Sequence, residues 1–373
     1  MPLRDPQLLH EPVTPGARVD IFRSLWPDRS PQITPEHQPD LKAYFSYYTK
    51  ECNKALLDEG QYLSARTHED FLRIATLLRT KSDKEEIKLE IRRHLTAGRS
   101  SKAEDKMLES TINLVTRLLA MINVGPLQNE ISPQWSIPWH EGSLDKAVHA
   151  HFNNYLDTNC QDDVLQPHFT LRNFDRDANI SIIWTNNLVD HLRLVNKDKG
   201  LCVFHQVSFL KWMQKVSRSA THLLPTVIVL KVLTSPMYPK GFIEETIDTL
   251  TLLLPDTDRR TRHWLECELQ DYDLTGVDLN LRHLGSFKAN DPARRLEHFK
   301  FWRERLGVLK DVVEEETPYP KVLLRVLHDR KQGDRWLNSW VALVAISLTL
   351  VFGLVQSIEG AIQVYKAYHP TTV

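Results

Sequence analysis

Apolar residues recur at three- and four-residue steps along much of this chain. Leu41, Tyr44, Phe45, Tyr48, Cys52, Ala55 and Leu56 lie on one helical stripe, Ile87, Ile91 and Leu95 on a second, and Ala103, Met107, Leu114, Leu118 and Met121 on a third. Thr67-His-Glu-Asp70 and Ser82-Asp-Lys-Glu85 have the form of N-terminal caps, in which a side-chain oxygen accepts from an unpaired helix N–H. Gly125-Pro126 closes the third stripe. The pattern predicts a helical region over 41–125. Glu85/Lys88 and Glu90/Arg93 pair opposite charges at i, i+3, which predicts a solvated face on the helix that carries them.

The period is lost between Gly125 and His140, where Pro126, Pro133 and Pro138 alternate with Trp135 and Trp139. A connection, then a helix resuming at Ser143, is expected over 126–165. The next stretch differs in kind. Ile180-Ser-Ile-Ile-Trp184, Leu192-Arg-Leu-Val195 and Leu201-Cys-Val-Phe-His205 are short β-branched or aromatic runs, with Lys197-Asp-Lys-Gly200 as a turn between the last two. They predict a small three-stranded α+β unit over 166–220, winged-helix-like in its order, with a helical piece at 185–191 and a helix from Val207. Helical spacing returns over 221–335. Ile243, Ile247, Leu250 and Leu254 form one stripe, and a longer helix is expected to open at Asn290-Asp-Pro292 and run through Leu296, Phe299, Trp302, Leu306, Leu309 and Val313. Residues 1–40 hold eight prolines, a density that predicts an extended or disordered arm from which Leu25 and Trp26 could dock on the body.

The last tenth of the chain breaks this amphipathic pattern. From Trp336 to Ile358 there are 23 consecutive residues without a charge, and Val341 to Val355 is nearly all apolar around the whole helix axis. At about 1.5 Å per residue such a helix reaches about 34 Å, enough for a hydrocarbon core of about 30 Å. The sequence predicts a transmembrane helix over 336–365 with a short tail at 366–373. Trp336 and Trp340 at one end and Tyr365 and Tyr368 at the other fit interfacial anchors, and Glu359 falls at the interface. Lys321, Arg325, Arg330, Lys331 and Arg335 precede the span and Lys366 alone follows it, which places the body on the cytosolic side. A tail-anchored topology is expected. Gly353, Ser357 and Ala361 recur every four residues, a small-residue face on which a second helix of the same chain could pack.

Composition alters this picture only locally. A mean hydropathy of -0.36 describes a soluble protein and conceals the apolar span. With 47 Lys+Arg against 48 Asp+Glu, no bulk field draws the 373-residue chain to nucleic acid or anionic lipid. Lys197, Lys199, Lys211, Lys215 and Arg218 form a local basic stretch that a winged helix would turn to phosphates, but nucleic acid is not the partner expected of a membrane-tethered neutral protein. Gly, at 13 residues, has about half its average frequency, which disfavours glycine-loop nucleotide enzymes. Cys52, Cys160, Cys202 and Cys267 lie far apart and read as reduced thiols, and nothing at the N-terminus reads as a secretory signal.

The chain lacks G-x-G-x-x-G, G-x-x-x-x-G-K-[ST], G-x-S-x-G and H-E-x-x-H. His140, Glu141, His149, His151, Asp157, Cys160, Asp162, Asp163 and His168 are its densest set of potential ligands. His149 and His151 would point about 200° apart on a helix, so no metal or cofactor is expected. Asp190-His191 are sequence neighbours poorly placed to act as a base and its orienting carboxylate.

Several segments carry a resemblance: Trp184-Thr-Asn-Asn-Leu-Val-Asp-His-Leu192, Val203-Phe-His-Gln-Val-Ser-Phe-Leu210, Leu250-Thr-Leu-Leu-Leu-Pro-Asp-Thr-Asp258, Phe301-Trp-Arg-Glu-Arg-Leu306 and, most specific, the run from Phe352 to Pro370. They resemble an uncharacterised family of filamentous ascomycete proteins that end in a similar membrane segment. The resemblance covers roughly 168–370 and implies a fungal origin and a membrane helix, with no catalytic residue or ligand to carry over. The expectation is a mainly α, single-pass membrane protein whose cytosolic helical body, with its α+β insert, is an interaction or scaffold module for an unknown protein partner. A membrane-bound enzyme using His149, Asp190 or His205 is the alternative, and a winged-helix nucleic-acid binder the third.

Overall fold

The structure, a computed structural model of the chain, describes residues 8–9, 11, 13–26, 41–56, 63–80, 83–95, 101–125, 134–153, 164–219, 237–272, 276–285, 294–316 and 333–368. Among them are twelve α-helices and one three-stranded mixed sheet. Two units divide the chain, Met1–Val312 and Val313–Val373.

Part of the proline-rich beginning, Pro15–Leu25, is helical where an extended arm was expected. Helix α1 is Pro15–Leu25. Pro15 sits at its start, where the missing N–H would have had no helical acceptor, and the Thr14 hydroxyl accepts from Ala17 N at 3.3 Å. Its apolar face is buried at Ile21, Phe22 and Leu25, and Trp26 follows. Phe22 stacks edge-on against Trp212, and Trp26 against Tyr44 and Phe209. Arg79 donates to Ser24 O and Leu25 O, satisfying carbonyls that the end of the helix leaves open. Residues 27–40 lie outside the described ones.

Helices α2 (Lys42–Ala55), α3 (His68–Thr80), α4 (Lys84–Leu95), α5 (Ser101–Ala120) and α6 (Leu144–Asn153) follow the apolar stripes. Thr67 and Asp70 cap α3 reciprocally: Thr67 Oγ1 accepts from Asp70 N at 3.1 Å and Asp70 Oδ2 accepts from Thr67 N at 2.9 Å. At α4, Asp83 does the capping, accepting from Glu85 N, and its other oxygen accepts from Gly142 N. The charged face of α4 is more than solvated. Lys84 and Lys88 both reach Glu109 of α5, at 2.8 and 2.7 Å, and Arg92 reaches Glu104 and Asp105.

After α7 (Leu171–Arg176) come β1 (Ser181–Thr185), β2 (Arg193–Val195) and β3 (Gly200–Phe204). The sheet order is β1-β3-β2, with β1 parallel to β3 from Ser181 opposite Gly200 to Thr185 opposite Phe204, and β2 antiparallel to β3 on its other edge. Every residue of β3 is buried, as a central strand's should be. Gly200 lets the strands close up there, because a Cβ would meet Ile183 Cδ1 and Val195 Cγ2 at 2.9 Å and both side chains would have to shift. The link from β1 to β2 contains only a 3-10 turn, Leu188–Asp190, where a winged helix would carry its recognition helix.

Helix α8 (Val207–Ser219) packs against α9 (Phe242–Leu253), which is buried nearly all round and forms the centre of the core. Helix α10 (Arg259–Tyr272) packs on α7, with Trp264 Nε1 donating to Asp175 at 3.0 Å. The long helix expected from Asn290 starts only at Arg303: α11 is Arg303–Glu316, and Leu296–His298 form a separate 3-10 turn. The cause is distant in sequence. Glu245 on α9 accepts from Phe301 N and Trp302 N at 2.6 and 2.9 Å, capping α11 and fixing its start.

In the second unit, α12 is Gly333–Tyr368, 36 residues long. Within it Val344–Tyr365 has a mean hydropathy of 1.6 and no buried residue, so this helix is long and apolar enough to cross a membrane.

Candidate functional site

The carboxyl end of β1 opens on a polar cleft of about 200 Å³. In open sheets with parallel strands, ligand crevices form at this end. Three parts of the chain converge on it: Lys50, Glu51 and Lys54 from α2, Arg117 from α5, and Trp184 to Asn187, Asp190 and Arg193 from the α+β unit. Glu51 is buried and faces Lys54 Nζ at 3.1 Å and Arg117 Nε at 3.7 Å. Asp190, 1% exposed, faces Arg193 Nε at 2.8 Å and accepts from Trp135 N at 3.0 Å and Asn187 Nδ2 at 2.8 Å. The Trp184 indole N–H, also at this cleft, is buried and makes no hydrogen bond among the described residues.

Behind the cleft Arg305 organises the 3-10 turn. Its guanidinium lies between the rings of Trp135 and Trp302, 5.1 and 5.2 Å from their centroids, and donates to Val189 O at 2.8 Å and to His191 O. Burial lowers its pKa to about 10, with Asp190 opposing the shift. It remains charged at neutral pH. The stacked planar fork that satisfies two carbonyls is a task lysine cannot perform.

The candidate histidines are structural. His191 is fully buried: its Nδ1 accepts from Phe204 N at 3.2 Å, so the proton is on Nε2, which donates to Thr249 Oγ1 at 2.8 Å. Burial, and then Arg305, push its pKa down to about 3. Asp190 and His191 thus bond in different directions and form no base-carboxylate pair. His205 Nδ1 accepts from Asp278 N, and burial lowers its pKa to about 3. Ser208, His205 and Asp278 are the residue types of a hydrolase triad in the wrong connectivity. Ser208 Oγ donates to Asp278 Oδ1 at 3.0 Å, and Asp278 Oδ2 accepts from Ser208 N, so the carboxylate caps α8 and holds the hydroxyl away from an attacking role.

His149 and His151 are on α6, both half-buried, and the His151 pKa is lowered by burial and by Arg305. No group of three or more His, Cys, Asp or Glu side chains among the described residues could hold a metal ion. Asp157, Cys160, Asp162 and Asp163 lie outside the described residues, as does the Arg218 side chain. Cys52 and Cys202 are buried free thiols and Cys267 an exposed one. Gly353, Ser357 and Ala361 are exposed on α12 at four-residue steps.

Sequence reasoning named Asp190 and missed the cations that line the cleft with it, Lys50, Lys54, Arg117 and Arg193, which come from three elements. One signal was available: Lys42, Ser46, Lys50 and Lys54 repeat every four residues on α2. No family model, curated protein or solved structure matches the chain.

Proposed function

We propose that the protein is a single-pass membrane protein whose helical body works in the cytosol as an interaction module. The observation that carries this reading is α12, a helix with 22 apolar-rich residues, Val344–Tyr365, and none of them buried. A soluble protein hides such a surface, since exposed apolar area of this extent favours association or insertion. The likeness of residues 352–370 to the closing segments of fungal membrane proteins supports the same assignment. Five basic residues before the span against Lys366 after it support a cytosolic body. The aligned small residues Gly353, Ser357 and Ala361 support self-association through the span.

The interaction role rests on the state of the polar groups in the body. Asp190, His191, His205, Ser208 and Asp278 each spend their hydrogen bonds on holding the fold. The enzyme alternative would require a base and a nucleophile facing one another. Alkaline carbonate extraction of membranes from cells expressing the full chain tests the anchor. The wild type is expected in the pellet, and Leu348→Arg/Phe352→Arg, which places two charges at the centre of the span, in the supernatant. Release of the wild type by carbonate overturns the assignment.

A further inference from the structure

Two metal-ligating side chains stand together on the outer face of α10. His263 and Cys267 are four residues apart, and the imidazole Nε2 lies 4.0 Å from the thiol sulfur. The other ring nitrogen, Nδ1, lies 4.0 Å from Glu266 Oε2. The His263 side chain is 80% exposed and Cys267 is exposed with it, so both face solvent. Neither makes a further polar contact among the described residues.

A tetrahedral centre that holds nitrogen at about 2.0–2.1 Å and sulfur at about 2.3 Å sets those two atoms about 3.6 Å apart. The observed 4.0 Å is a small side-chain rotation from that bite. A carboxylate at the far ring nitrogen is the common second partner of a ligating histidine, because it holds the proton on Nδ1 and leaves Nε2 free to bind. Imidazole and thiolate together suit a borderline dication such as zinc, whereas magnesium and calcium take oxygen ligands.

One chain supplies two ligands, and a closed tetrahedral site needs four. The charge pattern of α10 indicates the source of the other two. Arg259, Arg260 and Arg262 are exposed at its start, and behind the capping Asp258 its first turn holds no acid. Glu266 and Glu268 follow, and its last turn holds no base. Each end thus carries the charge that the helix macrodipole disfavours. A second α10 lying antiparallel answers both ends, because it brings opposite charge and an opposed dipole to each. His263 and Cys267 bracket Leu265, at the middle of the 14-residue helix. A two-fold axis there sets His263 of each copy opposite Cys267 of the other, and Arg262 opposite Glu268. The pairing that gathers two imidazoles and two thiols is therefore the one that matches the charges.

We infer that α10 carries half of a zinc-class metal site, completed by His263 and Cys267 of a second copy of this chain. On binding, each thiol releases its proton to solvent. The two thiolates then neutralise the dication, so the nearby arginines meet no net positive charge. Both residues belong to the first unit, so the assignment holds whether or not α12 crosses a bilayer.

Cobalt(II) provides the test, because in a tetrahedral thiolate site it shows intense visible bands and a sulfur-to-cobalt charge-transfer band. The full chain in detergent micelles, kept reduced with a phosphine, is titrated with cobalt chloride and then with zinc chloride. Both sets of bands are expected, saturating at one cobalt per two chains and erased by zinc. Cys267→Ser should abolish the charge-transfer band although Cys52, Cys160 and Cys202 remain. His263→Ala should weaken cobalt binding at least about tenfold. Both variants should keep the wild-type thermal melt, since both side chains are exposed. Absence of the charge-transfer band, its survival in Cys267→Ser, undiminished affinity in His263→Ala, or saturation at one cobalt per chain would each overturn the assignment.

Discussion

Three histidines in the body are kept neutral by their surroundings. His68 Nδ1 and the Tyr48 hydroxyl share a hydrogen bond at 2.8 Å, His191 bridges Phe204 N and Thr249, and His205 accepts from Asp278 N. Burial lowers their pKa values to about 4, 3 and 3. In the unfolded chain each returns to about 6.5 and takes up a proton more readily, so below that pH the unfolded state binds more protons than the native one. Stability from these sites is therefore complete above about pH 6.5 and declines as the pH falls toward 4 and then 3. Each histidine withdraws about 2 kcal/mol by about pH 5, from about 1.4 kcal/mol per pH unit. Denaturant unfolding of the full chain should accordingly show a lower midpoint at pH 5 than at pH 7.5, and His191→Gln, which cannot take up a proton, should show a smaller drop between the two. Equal midpoints at both pH values would contradict neutral burial. The sequence read Asp190-His191 as poorly placed for base chemistry and kept His205 for the enzyme alternative, but the partners that hold these rings neutral were not legible in it. Their partners, Thr249 and Asp278, lie 58 and 73 residues away.

At the scale of elements, local signals succeeded where the cause was local. The strands at 181–185, 193–195 and 200–204 follow the β-branched and aromatic runs nearly residue for residue. The Thr67–Asp70 box starts α3 because both halves of the cap are three residues apart. Helix α1 was missed although Thr14 and Pro15 form a sound start signal, because proline density across residues 1–40 outweighed the positions of individual prolines. The start of α11 was misplaced because its cap is Glu245, 56 residues from Phe301. That cap has a measurable energetic consequence. Glu245→Ala takes the acceptor from the N–H of buried Trp302 and of half-buried Phe301, at about 1–3 kcal/mol for a fully buried group so left and less for the half-buried one. Glu245→Gln retains an acceptor oxygen of the same reach. The alanine variant should lower stability by about 2–4 kcal/mol in denaturant titrations and the glutamine variant by under half of that. Equal losses would show that charge at the helix start matters more than the acceptor.

Over the whole molecule, the property that composition hid is the one most plainly written in the chain. An average over 373 residues concealed a run of 23 without a charge, and that run falls within α12. Hydrophobicity around the full circumference needs no tertiary information to be recognised, whereas the cleft beside β1 draws on α2, α5 and the sheet. On α12 the apolar surface is interrupted by a narrow seam of small residues. A Cβ added at Gly353 would meet nothing within 4 Å, so within the single chain this glycine has no packing reason to be small. A second helix lying across the seam would supply one, because close backbone approach is the main source of affinity between spans that gain nothing from hydrophobicity in lipid. Gly353→Ile keeps the helix apolar and able to span while adding bulk at the point where a second helix would approach closest. Energy transfer between donor- and acceptor-labelled full chains, diluted progressively in phosphatidylcholine vesicles, should show association of the wild type and a dissociation constant raised about tenfold in the variant. Val351→Ile, which adds one methylene off the seam, should leave the constant unchanged, and an identical curve for Gly353→Ile would place the contact, if any, on another face.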